Sequence, residues 1–326
     1  MRVAIIGQQA FGKSVFEAFR SRGDAVAGVF CAPEKPGAKP DPLLQAALAA
    51  DVDVFQLTSL KSPEAERALR ALDVDLAVMA YVLQFAPQSF VNIPRHGTIQ
   101  YHPSLLPRHR GPSSINWPLI MGETETGLTI FRPTDGLDEG PVILQKTVAI
   151  GADDTLGTVY FDHLFPMGVA AMLEAADLVV AGRHTETPQD ETLATYEGWC
   201  RDPESEINWH ASIDTIYNLI RGCIPAPGAW TPIHGRKLRI LEARKHPTRR
   251  FADVSGKPAE ITHIGPSSVT IATQGGSLEL LKVRLDGADK SSSAALFTSL
   301  GLTPGLRLNT PSVTAAPVSS PDSAAA

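Results

Sequence analysis

Cysteine is scarce in this chain: Cys31, Cys200 and Cys223 are the only three among 326 residues. An odd number with no metal-ligand spacing excludes a disulfide-stapled scaffold or a zinc ribbon and matches reduced thiols in a cytoplasmic protein. Aromatic residues are few (6%), charged residues make up 20%, and the formal net charge is only -6. That balance excludes a general nucleic-acid binder while leaving room for a local basic patch. Long apolar runs are also missing. No stretch approaches the roughly 18–20 apolar residues of a membrane helix. The opening Met-Arg-Val-Ala-Ile-Ile-Gly is too short for the apolar region of an export signal. Neither a membrane partner nor export is expected, and no internal repeat is visible.

The chain is nonetheless 43% hydrophobic, enough for one large core or two smaller ones. A β-branched run at 3–6 ends at Gly7, and Val15, Phe16 and Phe19 follow at helical spacing, which reads as strand, turn, helix. Strands are expected at 26–30, 52–56, 75–80 and 98–101, with helices at 43–50 and 63–72. This alternation predicts an α/β, Rossmann-like domain with a parallel sheet covered on both faces. Segments 126–131 and 142–148 read as a strand pair around a Gly/Asp turn, and 155–180 as a long helical stretch interrupted at Pro166 and Gly168. The pattern weakens over 188–205, a linker, and a helix follows at 213–221. After Pro225 come short strands at 229–233, 237–243, 259–264, 268–272 and 277–284, the spacing of a small, OB-like β-barrel. The expected organisation is an α/β domain over 1–200 and a β-rich domain over 206–310. The Pro- and Ser-rich tail over 311–326 is expected to be disordered.

Gly7-Gln8-Gln9-Ala10-Phe11-Gly12-Lys13-Ser14 fits the phosphate-loop pattern G-x-x-x-x-G-K-[ST], after a strand and opening a helix. A P-loop NTPase would set Lys13 on phosphate and Ser14 on magnesium. Against this, the strand that should end in a magnesium-binding aspartate runs from Leu76-Ala77-Val78-Met79-Ala80 into Tyr81-Val82-Leu83-Gln84, and the bulky Phe11 adjoins Gly12. The plainer reading is a first βα turn whose glycines admit a close approach of helix to strand.

The chemically informative stretch is Tyr101-His102-Pro103-Ser104-Leu105-Leu106-Pro107-Arg108-His109-Arg110-Gly111. Gln100 and His102, two apart on a strand, share a face. Pro103 closes that strand at its carboxyl end, where open parallel sheets bind ligands. Asp135-Gly136-Leu137-Asp138-Glu139-Gly140, between two strands, has the composition of a turn whose aspartates bond their own backbone.

The 101–111 stretch with Gly136-Leu137-Asp138-Glu139-Gly140 resembles the folate-dependent formyltransferase family, the superfamily of methionyl-tRNA formyltransferase and glycinamide ribonucleotide transformylase. Ile6-Gly7-Gln8 with Phe11-Gly12, Ser113-Ser114-Ile115-Asn116-Trp117, Phe165-Pro166, Ala194-Thr195-Tyr196-Glu197-Gly198 and Ile207-Asn208-Trp209 are most similar to the N-terminal hydrolase domain of 10-formyltetrahydrofolate dehydrogenase. The resemblance spans residues 1–310 and includes no aldehyde-dehydrogenase part, so NADP-coupled oxidation is not an expectation for these residues.

The resemblance implies transfer of a formyl group from 10-formyltetrahydrofolate, a co-substrate, without a metal. His102 would stabilise the oxyanion. Asp138 would orient His102 and help remove the acceptor's proton. The pterin would lie against Tyr81, Leu83, Gln84 and Phe85 and the turn Thr134, Asp135, Gly136 and Leu137. Ser104, Arg108, Arg110 and Gly111 would form the loop that meets the acceptor. Family transferases carry an asparagine donor two residues before the histidine, and the hydrolase branch an apolar residue. Gln100 matches neither and is read as a catalytic donor on a longer arm.

The acceptor stays open between water, a small amine and charged tRNA, with methionyl-tRNA formyl transfer the alternative to the first two. Arg236, Lys237, Arg239, Arg244, Lys245, His246, Arg249 and Arg250 cluster in the second domain. Residues 1–200 carry 15 Lys and Arg against 24 Asp and Glu, and residues 201–326 carry 14 against 11. The asymmetry permits tRNA but is equally that of a solvated strand face.

Overall fold

The structure, a computed structural model, describes residues 1–308 except Arg249, Phe251, Ala252 and Val254; the expected tail at 311–326 lies outside the described residues. The chain divides into two compact units, residues 1–201 with 221–225, and residues 202–220 with those from 226 onward.

In the first unit, β1 (Arg2–Gly7), β2 (Ala25–Cys31), β3 (Val54–Gln56), β4 (Leu76–Ala80) and β5 (Thr98–His102) pair in parallel, in the order β3-β2-β1-β4-β5. Beyond β5 lie β6 (Glu125–Phe131) and β7 (Val142–Ala149), both antiparallel to their neighbours. The sheet is therefore mixed rather than wholly parallel. The segment between β6 and β7 holds no helix to carry the chain back across the sheet, so β7 returns antiparallel.

Alternate residues of β1 enter different cores, as period-two side chains must. Val3 and Ile5 pack with Phe11, Val15, Phe16 and Phe19 of α1 (Gln9–Ser21) and Leu43 and Ala47 of α2 (Pro42–Ala49). Ala4 and Ile6 pack with Ala65 and Leu69 of α3 (Pro63–Ala71) and Phe90 and Val91 of α4 (Gln88–Val91). β4, every residue of it buried, shows the continuous apolar run of a strand covered on both faces. A short α5 (Asn116–Met121) precedes β6.

The phosphate-loop reading fails on geometry. β1 ends at Gly7 and α1 begins at Gln9, leaving one connecting residue where a loop would have to wrap phosphate. A Cβ on Gly7 would lie 2.1 Å from the Ala80 carbonyl oxygen, and one on Gly12 would lie 3.1 Å from Leu43 Cδ2. The glycines serve close packing, and Lys13 pairs with Glu17 at 3.6 Å one turn along the helix.

The 155–180 stretch resolves into α6 (Leu156–Thr158), a π-helical turn at Val159–Leu164 and α7 (Phe165–Val180). Pro166 sits in the first turn of α7, directly after the π-helical turn, and has no N–H to give to the carbonyls of that preceding turn. The irregularity thus sits on the N-terminal side of Pro166, one of the two expected points of interruption, and not at Gly168. The 25-residue stretch Leu156–Val180 contains an 18-residue window of mean hydropathy 1.4 and meets the length and composition of a membrane span, more than the sequence reading allowed. Val159, Leu164, Ala171, Met172, Ala175 and Val179 of this stretch lie in the sheet's core.

The second unit holds α8 (Ile213–Gly222) up to Ile220, and β8 (Trp230–Ile233), β9 (Arg236–Pro247), β10 (Ile261–Ile264), β11 (Val269–Thr273), β12 (Gly276–Leu285) and β13 (Lys290–Ser292). All their pairs are antiparallel, in the order β10-β11-β12-β9-β8 with β13 on β12, the barrel-like arrangement expected. β12 pairs with β11 through 276–280 and with β13 through 282–284. Its register against β9 shifts between Leu280 and Val283, the kind of bulge that bends a strand from one partner to the next. The closing α9 (Ser293–Ser299) is capped by the Ser292 hydroxyl.

Candidate active site

β5 brings Gln100 and His102 to one side of its carboxyl end, and the turn before β7 brings Asp138 to meet them. His102 Nε2 bonds the His109 carbonyl oxygen at 2.8 Å, and His102 Nδ1 lies 3.6 Å from Asp138 Oδ2. Both residues are buried, 6% and 9% exposed. Asp138 Oδ2 also accepts the Gly111 N–H at 2.8 Å, and Oδ1 lies 3.5 Å from Gln100 Nε2. The three residues taken as catalytic thus converge on one buried point.

Much of the surrounding backbone is in the left-handed region. Tyr81 (φ 64°), His109 (φ 58°), Ser113 (φ 61°) and Asp138 (φ 56°) all adopt it without being glycine. Clustering of such conformations is characteristic of functional sites, where the surroundings hold the strain. The Leu106–Pro107 peptide bond is cis.

The 104–111 loop lies differently from its expected role as an acceptor contact. The buried Ser104 hydroxyl donates to the Arg108 carbonyl at 2.7 Å. Arg110, with no exposed surface, donates to Gln189 Oε1 from Nε (3.1 Å) and Nη2 (2.8 Å), to both Glu191 oxygens (2.9 and 2.7 Å) and to the Tyr196 hydroxyl. A guanidinium with its donors so engaged is a tie between segments and has little left for an acceptor. In return, the arginine holds the Glu191 carboxyl below its ordinary range. Gly111 gives its N–H to Asp138. Of Ser104, Arg108, Arg110 and Gly111, Arg108 alone is partly exposed, and it lies 3.5 Å from Glu123.

The expected pterin residues form two segments. Tyr81, Leu83, Phe85 and Leu137 are exposed apolar side chains, and Lys61 Nζ lies 4.6 Å from the centroid of the Phe85 ring. Gln84 donates to the Leu57 carbonyl at 2.9 Å, while its buried Oε1 has no partner among the described residues. Thr134 and Gly136 are half-buried and Asp135 is exposed. Gln88 of α4 donates to the Pro133 carbonyl at 3.1 Å, which ties the region after the 81–85 segment to the start of the 134–137 turn.

Sequence reasoning assigned no role to the residues that hold this site together. The buried His109 ring lies between Glu123 (3.0 Å) and Glu197 (3.2 Å), and its backbone N–H donates to Thr195 Oγ1 at 2.8 Å. Gln189, Glu191 and Tyr196 hold Arg110. The one signal was the family-like 194–198 stretch, which carries no chemical pattern of its own.

The basic cluster of the second unit is largely neutralised from within. Arg239 pairs with Asp202 (2.9 Å) and Asp286 (2.8 Å), Lys237 with Asp202, Lys245 with Asp214 (2.6 Å), and Arg244 and His246 with Glu279 (3.9 and 3.2 Å). Arg239, then Lys237, holds the Asp202 carboxyl down at about 2. Arg249 lies outside the described residues.

Residues 1–174 match the family model described as formyl transferase, and residues 201–301 the model described as formyl transferase, C-terminal domain. The cytosolic 10-formyltetrahydrofolate dehydrogenase of Mus musculus is 41% identical over 277 residues, 83% of this chain and 30% of that protein. The chain spans less than a third of the length of such dehydrogenases. The methionyl-tRNA formyltransferase of Geobacter sulfurreducens is 31% identical over 313 residues, 94% of this chain and 96% of that protein. The N-formyltransferase from Helicobacter canadensis, solved in complex with folinic acid and dTDP-3-aminofucose, shares the fold with a TM-score of 0.65 at 16% identity, over 86% of this chain and 98% of that one.

Proposed function

The chain belongs to the formyl transferase family, and from that premise we propose that it moves the formyl group of 10-formyltetrahydrofolate to water or a small amine. The observation that carries the reading is the convergence of Gln100, His102 and Asp138 on one buried point.

In the reaction, the acceptor's oxygen or nitrogen attacks the formyl carbon, and the carbonyl oxygen becomes an oxyanion. The carbon–N10 bond then breaks, and the proton lost by the acceptor is balanced by the one gained at N10. His102 Nε2 is occupied by the His109 carbonyl, so Nδ1, 3.6 Å from Asp138 Oδ2, is the nitrogen left for the reaction, and when protonated the ring, held beside that carboxylate, stabilises the oxyanion. Asp138, anchored by the Gly111 N–H, keeps the ring oriented and takes the acceptor's proton directly or through water. Gln100 has two amide hydrogens and one described partner, Asp138. Its second hydrogen serves the oxyanion. The exposed apolar side chains at 81–85 and 137 suit the flat pterin.

The self-neutralised cations of the second unit favour water or a small amine over tRNA, because paired charges release little when phosphate arrives. Methionyl-tRNA is the second reading, favoured by the end-to-end match to the Geobacter sulfurreducens enzyme. Turnover of 10-formyltetrahydrofolate in buffer, with simple amines and with methionyl-tRNA separates them. The first reading expects tetrahydrofolate release at a rate indifferent to tRNA. A rate that rises with methionyl-tRNA, with labelled formyl in the tRNA, establishes the second. No release under any condition refutes both.

A further inference from the structure

We propose that Gln189 is a positioning residue for this reaction: it joins the buried Arg110 guanidinium to the turn carrying Asp138 and so sets the carboxylate against His102. The inference rests on reading His102 and Asp138 as the reacting pair.

The Gln189 amide is fully used. Nε2 donates to the carbonyls of Asp138 (2.8 Å) and Gly140 (2.7 Å), and Oε1 accepts from Arg110 Nε (3.1 Å) and Nη2 (2.8 Å). Two hydrogens and two lone pairs complete its capacity. The two carbonyls flank Glu139, so the amide grips the turn on both sides of its tip. Glu139 in turn accepts from the Tyr196 hydroxyl at 2.8 Å. A non-glycine residue held at φ 56°, as Asp138 is, needs such outside ties, since the left-handed conformation is sterically disfavoured.

Arg110 is the other end of the tie. Its chain neighbours touch both members of the pair: His109 through the carbonyl bound to His102 Nε2, Gly111 through the N–H bound to Asp138 Oδ2. The Arg110 backbone is bonded to Thr195 and Glu197 (3.0 and 3.4 Å). Gln189 thereby fixes the turn that carries Asp138 relative to the loop that carries its anchor. It touches the aspartate only at the backbone, so it acts through Asp138 and not on the substrate.

The test compares Gln189→Glu and Gln189→Met with wild type and Asp138→Ala in kcat for 10-formyltetrahydrofolate, tetrahydrofolate affinity and Tm. Gln189→Glu keeps oxygens toward Arg110 and loses both donors to the turn; Gln189→Met keeps the length and loses every bond. The expected result is a kcat loss of about ten-fold or more in both, the scale of a misplaced catalytic group, with affinity within about two-fold and a cooperative melting curve whose Tm, lowered by the unpaired buried groups, stays well above the assay temperature. Wild-type kcat in both variants overturns the proposal. So does a loss that tracks a fall in Tm and is regained on cooling, because that marks Gln189 as structural only. An Asp138→Ala protein with normal turnover overturns the site itself and this inference with it. Loss in Asp138→Ala with wild-type kcat in the Gln189 variants overturns the inference alone.

Discussion

Gln100 sits beside His102 because strand side chains repeat every two residues, so the local sequence alone places the two on one face. Its amide faces Asp138 Oδ1 at 3.5 Å, the outer edge of hydrogen bonding. If the remaining hydrogen serves the oxyanion, Gln100→Leu lowers kcat/KM by roughly ten-fold or more, and Gln100→Asn does not restore it, because the shorter arm falls short. An unchanged kcat/KM in a Gln100→Leu protein with a normal melting curve removes the donor role and aligns the chain with the hydrolase pattern. Asp138 was legible only through resemblance, since an Asp-Gly cluster has the composition of any turn. The burial of Arg110 was not legible at all: its side-chain partners lie 79–86 residues along the chain, and no local pattern encodes them.

At the scale of elements, the strands of both units other than the three-residue β13 were marked by β-branched runs between turn residues, and they formed within a few residues of the expected ends. What escaped were short or irregular pieces. The four-residue α4, the six-residue α5 and the seven-residue α9 are too brief to show a helical period, and Pro166 marked an interruption of the long helix without revealing its π-helical form. The βα turn at Gly7–Gln9 carries a prediction. Lys13→Ala leaves turnover unchanged, and Mg-ATP does not raise Tm, whereas a bound nucleotide well above its Kd would stabilise by about 2–4 kcal/mol. A clear Tm shift with Mg-ATP contradicts the packing account of those glycines.

The ion-pair cluster on β9 carries another. Asp202 titrates at about 2 when folded against an ordinary 3.8. A depressed carboxyl contributes stability that is present above the unfolded value and lost as pH falls through the folded one. Asp202→Asn therefore lowers Tm at pH 6, and the gap to wild type closes as pH falls from about 4 to 2. A gap that does not change with pH shows that the Arg239 and Lys237 pairs do not act through this charge.

For the whole molecule, fold and family follow from chain-wide pattern, whereas the acceptor depends on how charges pair in space. Counting Lys and Arg along residues 201–326 left tRNA binding open. The pairing of Arg239, Lys237, Lys245 and Arg244 with acidic partners is what a count along the chain does not contain: a cation matched by a carboxylate is a weaker phosphate contact than a free one. The proposed chemistry, by contrast, rests on a few side chains, the buried His102 and Asp138 foremost. The most direct measurement is single-turnover release of tetrahydrofolate from 10-formyltetrahydrofolate by wild type, His102→Ala and Asp138→Ala, with Tm recorded for each. The account predicts release by wild type and a loss of at least about 10²-fold in both variants, with melting curves that still show a cooperative fold. A folded variant of either kind that releases tetrahydrofolate at close to the wild-type rate would contradict it.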